Sequence, residues 1–205
     1  MRITARSLAA SVFAAAILLA ACGGASGSRP AGTGQQGSPV PSESPVPTED
    51  NPPGDIPDDI AFVPYTSRHG GFTISTPEGW ARSTTESSVT FTDKLNTIVV
   101  SWQAVSSPPS VSSVQTLEVP QLQGSERAFT LGSVTDATLP AGSAVLTTYQ
   151  ANSEPNDVTG QQYRLDVQRY SLYRDGVEVV IGLRSPVGSD NVDPWRIVTQ
   201  SFSWS

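Results

Sequence analysis

The sequence is poor in the residues that usually carry catalysis or bind metals. It has one cysteine, Cys22, and one histidine, His69, in 205 residues. An intramolecular disulfide needs two cysteines, and the usual zinc sites need several histidine or cysteine ligands. A serine hydrolase would need His69 as its base, but the chain has no G-x-S-x-G turn for the nucleophile, and His69 stands beside two glycines in a predicted turn. We therefore predict no catalytic residue, no metal and no cofactor.

Basic residues are also scarce. The chain has 12 Lys and Arg against 19 Asp and Glu, for a net charge of −7. Two of the basic residues, Arg2 and Arg6, precede the predicted cleavage point described below, so the mature chain is more acidic still. An acidic chain argues against nucleic acid and anionic lipid headgroups as partners. The glycine-rich sequence GTGQQGS has no strand before it and no lysine after it, so it is not a phosphate-binding loop.

One uncharged run stands near the N-terminus. Residues 8–21 read LAASVFAAAILLAA, which is shorter than the roughly 20 residues that cross a bilayer but suits a secretory signal. The sequence Leu19-Ala20-Ala21-Cys22 resembles the lipobox of bacterial lipoproteins. This resemblance implies cleavage before Cys22 and acylation of its thiol by chains such as palmitate, which would anchor the protein at the cell membrane on the extracytoplasmic side. The alternative is an ordinary signal peptide with an incidental cysteine.

The segment that follows is a predicted linker. Residues 22–62 are rich in Gly, Ser and Pro, then acidic, and they contain few apolar residues. Such a composition does not bury enough apolar surface to offset the entropy lost on ordering. We predict three parts: a signal peptide over 1–21, a disordered linker over 22–62, and a globular domain over 63–205.

The domain sequence is typical of antiparallel strands. Short apolar alternations stand between turn signals, and Phe129–Val134 and Ala144–Tyr149 are two of the candidate strands. The clearest hairpin has Asp175-Gly176 as a type I′ turn, which pairs Tyr170 with Ile181 and Leu172 with Val179. Leu165 and Val167 then fall on the opposite face from Tyr170 and Leu172. We expect a β-bulge near Gln168-Arg169 to return them to a single core face.

Two segments are predicted to be helical. Pro109–Leu122 places Val111, Val114 and Leu117 on one stripe, and Pro120 limits its length. The second helix is capped by Asp193, has Pro194 at its first position, and presents Trp195, Val198 and Phe202 on one face. Strands flanked by two helices indicate an α+β fold with an antiparallel sheet. The four tryptophans are expected in or beside the core: Trp80, Trp102, Trp195 and Trp204.

Two stretches resemble a known family. FTISTPEGW, Phe72–Trp80, is similar to the strand and P-x-G-W opening of PsbP-like and Mog-type domains, and GSDNVDPWRIVTQSFSW, Gly188–Trp204, resembles the closing helix of small PsbP-like lipoproteins. The resemblance implies an α/β/α sandwich with a central antiparallel sheet. It also implies a binding or assembly factor.

Two polar loops have alternative interpretations. Asp190, Asn191 and Asp193 could supply oxygen ligands to Ca²⁺, but their spacing is not that of a calcium loop, and we expect them to shape the loop and cap the last helix. Glu154, Asn156 and Asp157 form an acidic loop that is either a solvated hairpin end or a partner contact.

Three functional hypotheses remain open from the sequence. The leading one is a non-enzymatic, lipid-anchored binding module for an unknown protein or envelope ligand. The second is an envelope-acting hydrolase that uses an acid pair, although no spacing singles out two carboxylates. The third is a carrier for an apolar small molecule held between sheet and helix.

Overall fold

The chain folds around a seven-stranded antiparallel sheet. The computed structural model describes residues 43–48 and 54–205, so the predicted signal peptide, Cys22 and the first part of the predicted linker lie outside the described residues. The elements in chain order are β1 (Phe62–Ser67), β2 (Phe72–Pro77), β3 (Ala81–Thr84), β4 (Ser88–Asp93), β5 (Asn96–Ala104), α1 (Val111–Ser113), a π-helical turn (Val114–Glu118), α2 (Val119–Ser125), β6 (Thr130–Leu139), β7 (Gly142–Asn152), β8 (Arg164–Arg174), β9 (Val177–Pro186), α3 (Val192–Ser201) and β10 (Ser203–Trp204). In the part of the chain so described, no helix is long and apolar enough to cross a bilayer.

The elements form three layers, with the large sheet in the middle. Its strand order is β3-β4-β5-β9-β8-β7-β6, and every neighbouring pair is antiparallel. The helical segment from α1 to α2, here called the split helix, packs on one face through two small apolar clusters. The other face carries the main core, which is closed by α3 and a small sheet of order β1-β2-β10. The predicted α/β/α sandwich with a central antiparallel sheet is therefore confirmed.

The β8–β9 hairpin forms as predicted. Asp175 and Gly176 have φ of +50° and +85°, as both central residues of a type I′ turn require. Tyr170 pairs with Ile181 and Leu172 with Val179.

The predicted bulge near Gln168-Arg169 is wrong. Pairing of β8 with β9 runs without a break from Leu165 to Arg174. Leu165 and Val167 stay on the opposite face from Leu172 because both faces of this sheet are covered: the first two pack beneath the split helix, and Leu172 packs in the main core.

Pro120 does not end the first helix. The amide of Val119 bonds the carbonyl of Val114, five residues back, and the resulting π turn places Pro120 in the first turn of α2, where a missing N–H is tolerated. The extra residue also rotates the apolar stripe. Leu117, predicted to be buried, is 63% exposed, while Val119 and Leu122 pack on the sheet instead.

The last helix begins earlier than predicted. Its N-cap is Asn191, whose backbone carbonyl accepts a bond from the Trp195 amide, so Asp193 lies within the first turn and does not cap it. Trp195 and Val198 are buried as predicted. Phe202 is also buried, although it follows the last helical residue in an extended conformation and leads into β10.

The predicted linker does not extend to residue 62 as a segment without fixed contacts. Ile56 is buried, and its amide donates to Asn191 Oδ1 at 2.8 Å. The Gly54 carbonyl accepts bonds from the side-chain amides of Asn96 and Asn191. These contacts provide hydrogen-bond partners for buried asparagines of the domain, and amino-acid composition does not reveal them. The first strand, β1, itself begins at Phe62. Residues 43–48 also contact the domain, as described below.

Candidate functional site

An open cleft lies where the end of α2 meets the sheet. It has a volume of about 460 Å³ and is open to solvent. Its walls are the β4–β5 turn with the start of β5, the end of α2, the β7–β8 loop with the strand residues beside it, and Arg184 of β9. The lining residues used below are Lys94, Val99, Glu126, Arg127, Asn152, Glu154, Asn156 and Arg184.

Two lining side chains of the cleft, Glu126 and Arg184, are bonded to each other and to Tyr149 of β7. Both oxygens of Glu126 accept hydrogen bonds from the guanidinium of Arg184, and the hydroxyl of Tyr149 donates to Glu126 Oε1 at 2.9 Å. Glu126 is the C-cap residue of α2, so the position of the helix end places the Glu126 carboxylate beside the sheet. Burial raises the pKa of Tyr149 well above its usual value, which keeps this hydroxyl protonated as a donor.

A second pair of charges forms the rim. Arg127 Nε donates to Glu154 Oε2 at 2.9 Å, and Arg127 Nη1 is bonded to Glu43. The carboxylates that line the cleft are thus each held by an arginine. An acid pair for hydrolysis needs one protonated carboxyl and one ionised carboxylate directed at the same substrate bond. This arrangement instead fixes charges of both signs at a surface, as recognition sites do.

The sheet face beside the cleft is only partly covered. A smaller cavity of about 60 Å³ shares Val99 and Arg184 with the cleft and reaches Arg169. Arg169 bonds Glu118 of the π turn at 3.4 Å, and burial raises the pKa of that carboxyl. The smaller cavity therefore extends from the wall of the cleft along the sheet to Arg169, the partner of the π turn.

Of the residues singled out in the sequence, Glu154 and Asn156 line the cleft. Asn156 Oδ1 accepts bonds from the amides of Val158 and Thr159, so this side chain closes the loop, and Asp157 is exposed. His69 lies in the exposed β1–β2 turn, outside the cleft.

The Asp190–Asp193 loop uses its side chains within the domain. Asn191 is 2% exposed, and its amide bonds Gly54, Ile56 and Asn96. Asp193 pairs with Arg196. Over residues 43–48 and 54–205, no group of three His, Cys, Asp or Glu side chains is placed to hold a metal ion.

The tryptophans are core residues or pack against the core. Trp102 contacts Phe72 edge-on with ring centroids 5.7 Å apart, Trp80 meets Trp195 at 6.4 Å, and Trp204 packs on Phe202 at 5.2 Å. Their aromatic pairing stabilises the face of the sheet that α3 covers.

A second open cleft relates to the carrier hypothesis. It measures about 370 Å³ and lies between α3 and the β6–β8 side of the sheet. Leu139, Leu146 and Trp195 share its lining with the polar Gln168 and Arg196. The lining is therefore mixed and not the apolar interior that a carrier of an apolar molecule requires.

Comparison with known proteins identifies the fold. Cyanobacterial PsbP (CyanoP) from Synechocystis sp. PCC 6803 matches with a TM-score of 0.51 and 13% identity, over 76% of this chain and 100% of that one. The Ran-binding protein Mog1p of Saccharomyces cerevisiae gives 0.45 at 12%, over 71% and 96% of the two chains. LpqN of Mycobacterium tuberculosis, described as involved in cell envelope biogenesis, gives 0.44 at 14%, over 71% and 91%.

The fold is thus PsbP-like, as the sequence resemblance implied. The chain spans only 48% of the length of another similar structure, from Bacteroides thetaiotaomicron. No protein-family model and no curated protein matches the sequence. At these identities the comparisons define the fold alone.

Proposed function

We propose that this protein is a non-enzymatic binding or assembly module that a lipid on Cys22 anchors to the extracytoplasmic side of the cell membrane, and that the cleft at the end of α2 contacts its partner. The observation that carries the binding proposal is the cleft itself. About 460 Å³ of open volume is lined by arginines and carboxylates that are hydrogen-bonded to each other, Arg184 with Glu126 in a partly buried position and Arg127 with Glu154 at the exposed rim. Ordered charges of both signs give specificity to a protein contact.

The anchor proposal depends on the N-terminal sequence. Arg2 and Arg6 precede an uncharged run, and Leu19-Ala20-Ala21-Cys22 resembles a lipobox. We expect Cys22→Ala to release the protein from membranes or to block its maturation, because two or more acyl chains are needed for stable attachment. Membrane fractionation with and without detergent measures this. An unchanged, detergent-dependent membrane fraction for Cys22→Ala would contradict the anchor.

The binding proposal is tested by photocrosslinking in intact membranes. A photoreactive residue at Lys94 faces the cleft, whereas the same residue at Arg174, beside the β8–β9 turn, is exposed but distant from the cleft lining. We expect one discrete adduct from position 94 and none of that mass from position 174. Glu154→Lys should reduce the adduct because it reverses a rim charge. Equal adducts from both positions, or no effect of Glu154→Lys, would show that the cleft is not the contact.

A further inference from the structure

Residues 43–48, here called the strap, contact the domain in a specific way. The strap has the sequence ESPVPT and lies against the end of β7 and the β7–β8 loop. The side-chain amide of Asn152 bonds its backbone in both directions: Nδ2 donates to the Ser44 carbonyl at 2.9 Å, and Oδ1 accepts from the Val46 amide at 3.2 Å. Such a pair of hydrogen bonds recognises an extended backbone and does not depend on the side chains of Ser44 and Val46.

The carboxylate of Glu43 is bound by three donors. Gln162 Nε2 donates to Oε2 at 3.1 Å, Asn152 Nδ2 donates to the same oxygen at 3.3 Å, and Arg127 Nη1 is bonded to Oε1. A charged donor and two amides converging on one carboxylate form a strong and directional site. The strap is therefore recognised through the Glu43 carboxylate and through two backbone groups, the Ser44 carbonyl and the Val46 amide.

The domain holds these donors in place. Asn152 is 4% exposed, and Arg164 Nη1 donates to its Oδ1 at 3.1 Å. Arg164 is itself buried and also bonds the Ala128 carbonyl and the Thr130 hydroxyl. This guanidinium fixes the orientation of the Asn152 amide, so the donor for the strap is set before the strap arrives.

The strap sequence suits this site. Pro45 and Pro47 favour the polyproline II conformation, in which residues three apart face the same side, as Glu43 and Val46 do when they contact Asn152. The sequence S-P-V-P-[Ser/Thr]-Glu occurs twice, over 38–43 and 44–49. Only the second copy is preceded by a glutamate, because residue 37 is glycine. Of the two repeats, only the second therefore has the glutamate and the backbone groups in the spacing that the site binds.

We propose that Arg127, Asn152 and Gln162 form a recognition site for an extended, proline-containing peptide with a glutamate, and that the strap is its resident ligand. The site lies at the rim of the cleft, since Arg127 and Asn152 also line it. A second peptide of the same chemistry can enter only when the strap leaves. The inference concerns the domain and its own chain, and it holds whether or not Cys22 is lipidated.

The test uses the full chain and a synthetic peptide with the sequence of residues 42–49, SESPVPTE. In the wild type, we expect the Val46 amide to be protected from hydrogen exchange and the peptide to bind weakly, because the attached strap has a high effective concentration. The double variant Glu43→Lys, Val46→Pro removes the carboxylate and the backbone donor of the strap. It should bind the peptide at least about tenfold more tightly than the wild type.

Controls separate recognition from unfolding. The peptide SQSPVPTE should bind the double variant at least about tenfold more weakly, and adding Gln162→Ala or Arg127→Ala to that variant should weaken SESPVPTE binding by a similar factor. Protection of the Ile181 amide, which lies in the core, reports that each variant is folded. Rapid exchange of Val46 in the wild type, absence of peptide binding to the folded double variant, or equal binding of the two peptides would each overturn the proposal.

Discussion

At the residue scale, Tyr149 tests how much the charged wall of the cleft contributes to stability. Its hydroxyl donates to a carboxylate, and its ring packs on Phe129 with centroids 5.1 Å apart. Tyr149→Phe keeps the ring and removes only the hydroxyl. We expect a loss of about 1.5–3 kcal/mol in the free energy of unfolding, because a hydrogen bond to a charged group is lost at a site that is 3% exposed.

Chemical denaturation measures this loss, and Tyr173→Phe is the matched control. Tyr173 lies on β8 and is half-buried, and its hydroxyl has no hydrogen-bond partner within residues 43–48 and 54–205. Tyr173→Phe should lower the free energy of unfolding by less than about 0.5 kcal/mol. Equal effects of the two substitutions would contradict a role for the Tyr149 hydroxyl.

Phe202 tests whether the C-terminal aromatic residues are core or docking surface. The side chain is 2% exposed and stacks on Phe72 with ring centroids 5.6 Å apart. Phe202→Ala should therefore lower the free energy of unfolding by about 3–5 kcal/mol, and the melting temperature should fall sharply.

The control for Phe202 is a neighbour on the outer side of α3. Arg196 is 57% exposed and pairs with the exposed Asp193, so Arg196→Ala should change stability by less than about 0.5 kcal/mol. Thermal unfolding of both variants gives the comparison. A normal melting curve for Phe202→Ala would mean that this helix end is a binding surface.

The sequence predicts the buried aromatic residues better than the charged site. Trp195 and Val198 recur at helical spacing, so their burial follows from local periodicity, whereas Phe202 is buried just beyond the helix in an extended conformation. Arg184 interrupts an apolar strand, which is a local signal, but its partner Glu126 is 58 positions away. Only the packing of α2 against the sheet brings these two residues together, and no spacing in the sequence encodes it.

At the scale of elements, the turn between β8 and β9 allows a comparison of two glycines. Gly176 has φ of +85°, where a side chain is strained, whereas Gly124 lies in α2 with no atom within 4 Å of an added Cβ. Gly176→Ala should cost about 1–2 kcal/mol, since L-residues disfavour the left-handed region. Gly124→Ala should stabilise by up to about 1 kcal/mol, because alanine favours a helix.

Urea unfolding of the two variants measures these opposite signs for the same chemical change. A neutral Gly176→Ala would mean that the turn does not hold the type I′ conformation in solution. The Asp-Gly turn could be predicted because its backbone requirement is local. The unbroken pairing of β8 with β9 and the π turn could not be predicted in this way. Both depend on which faces of the sheet are covered by elements distant in sequence.

At the scale of the whole molecule, the segment before β1 takes part in the fold. Composition predicts a linker up to residue 62, yet Ile56 is buried and Glu43 is bonded to three side chains of the domain. A proline-rich chain has little ordering entropy left to lose, so a few well-placed polar contacts can hold it. These contacts were not predictable, because Asn152 and Gln162 acquire their role only through the loop between β7 and β8.

Acid should release the strap before it unfolds the domain. Hydrogen bonds from Gln162, then from Asn152 and Arg127, hold the pKa of Glu43 below its ordinary value of 4.5, although partial desolvation opposes them. A lowered pKa in the attached state means that attachment is complete above the ordinary pKa and is lost as the pH falls through the lowered one. We expect the amide chemical shift of Val46 to change along this transition when the pH is taken from about 7 to about 3, while the Ile181 amide stays protected.

Two variants assign the transition to Glu43. Glu43→Gln keeps the shape of the side chain but removes its titration, so the pH dependence of the Val46 shift should disappear. Glu154 pairs with the same Arg127 and is therefore the matched carboxylate for comparison. Glu154→Gln should retain the transition, because Gln162 and Asn152 still bind the Glu43 carboxylate. If Glu43→Gln shows the wild-type transition, or if Glu154→Gln abolishes it, the strap is not held by the ionised Glu43.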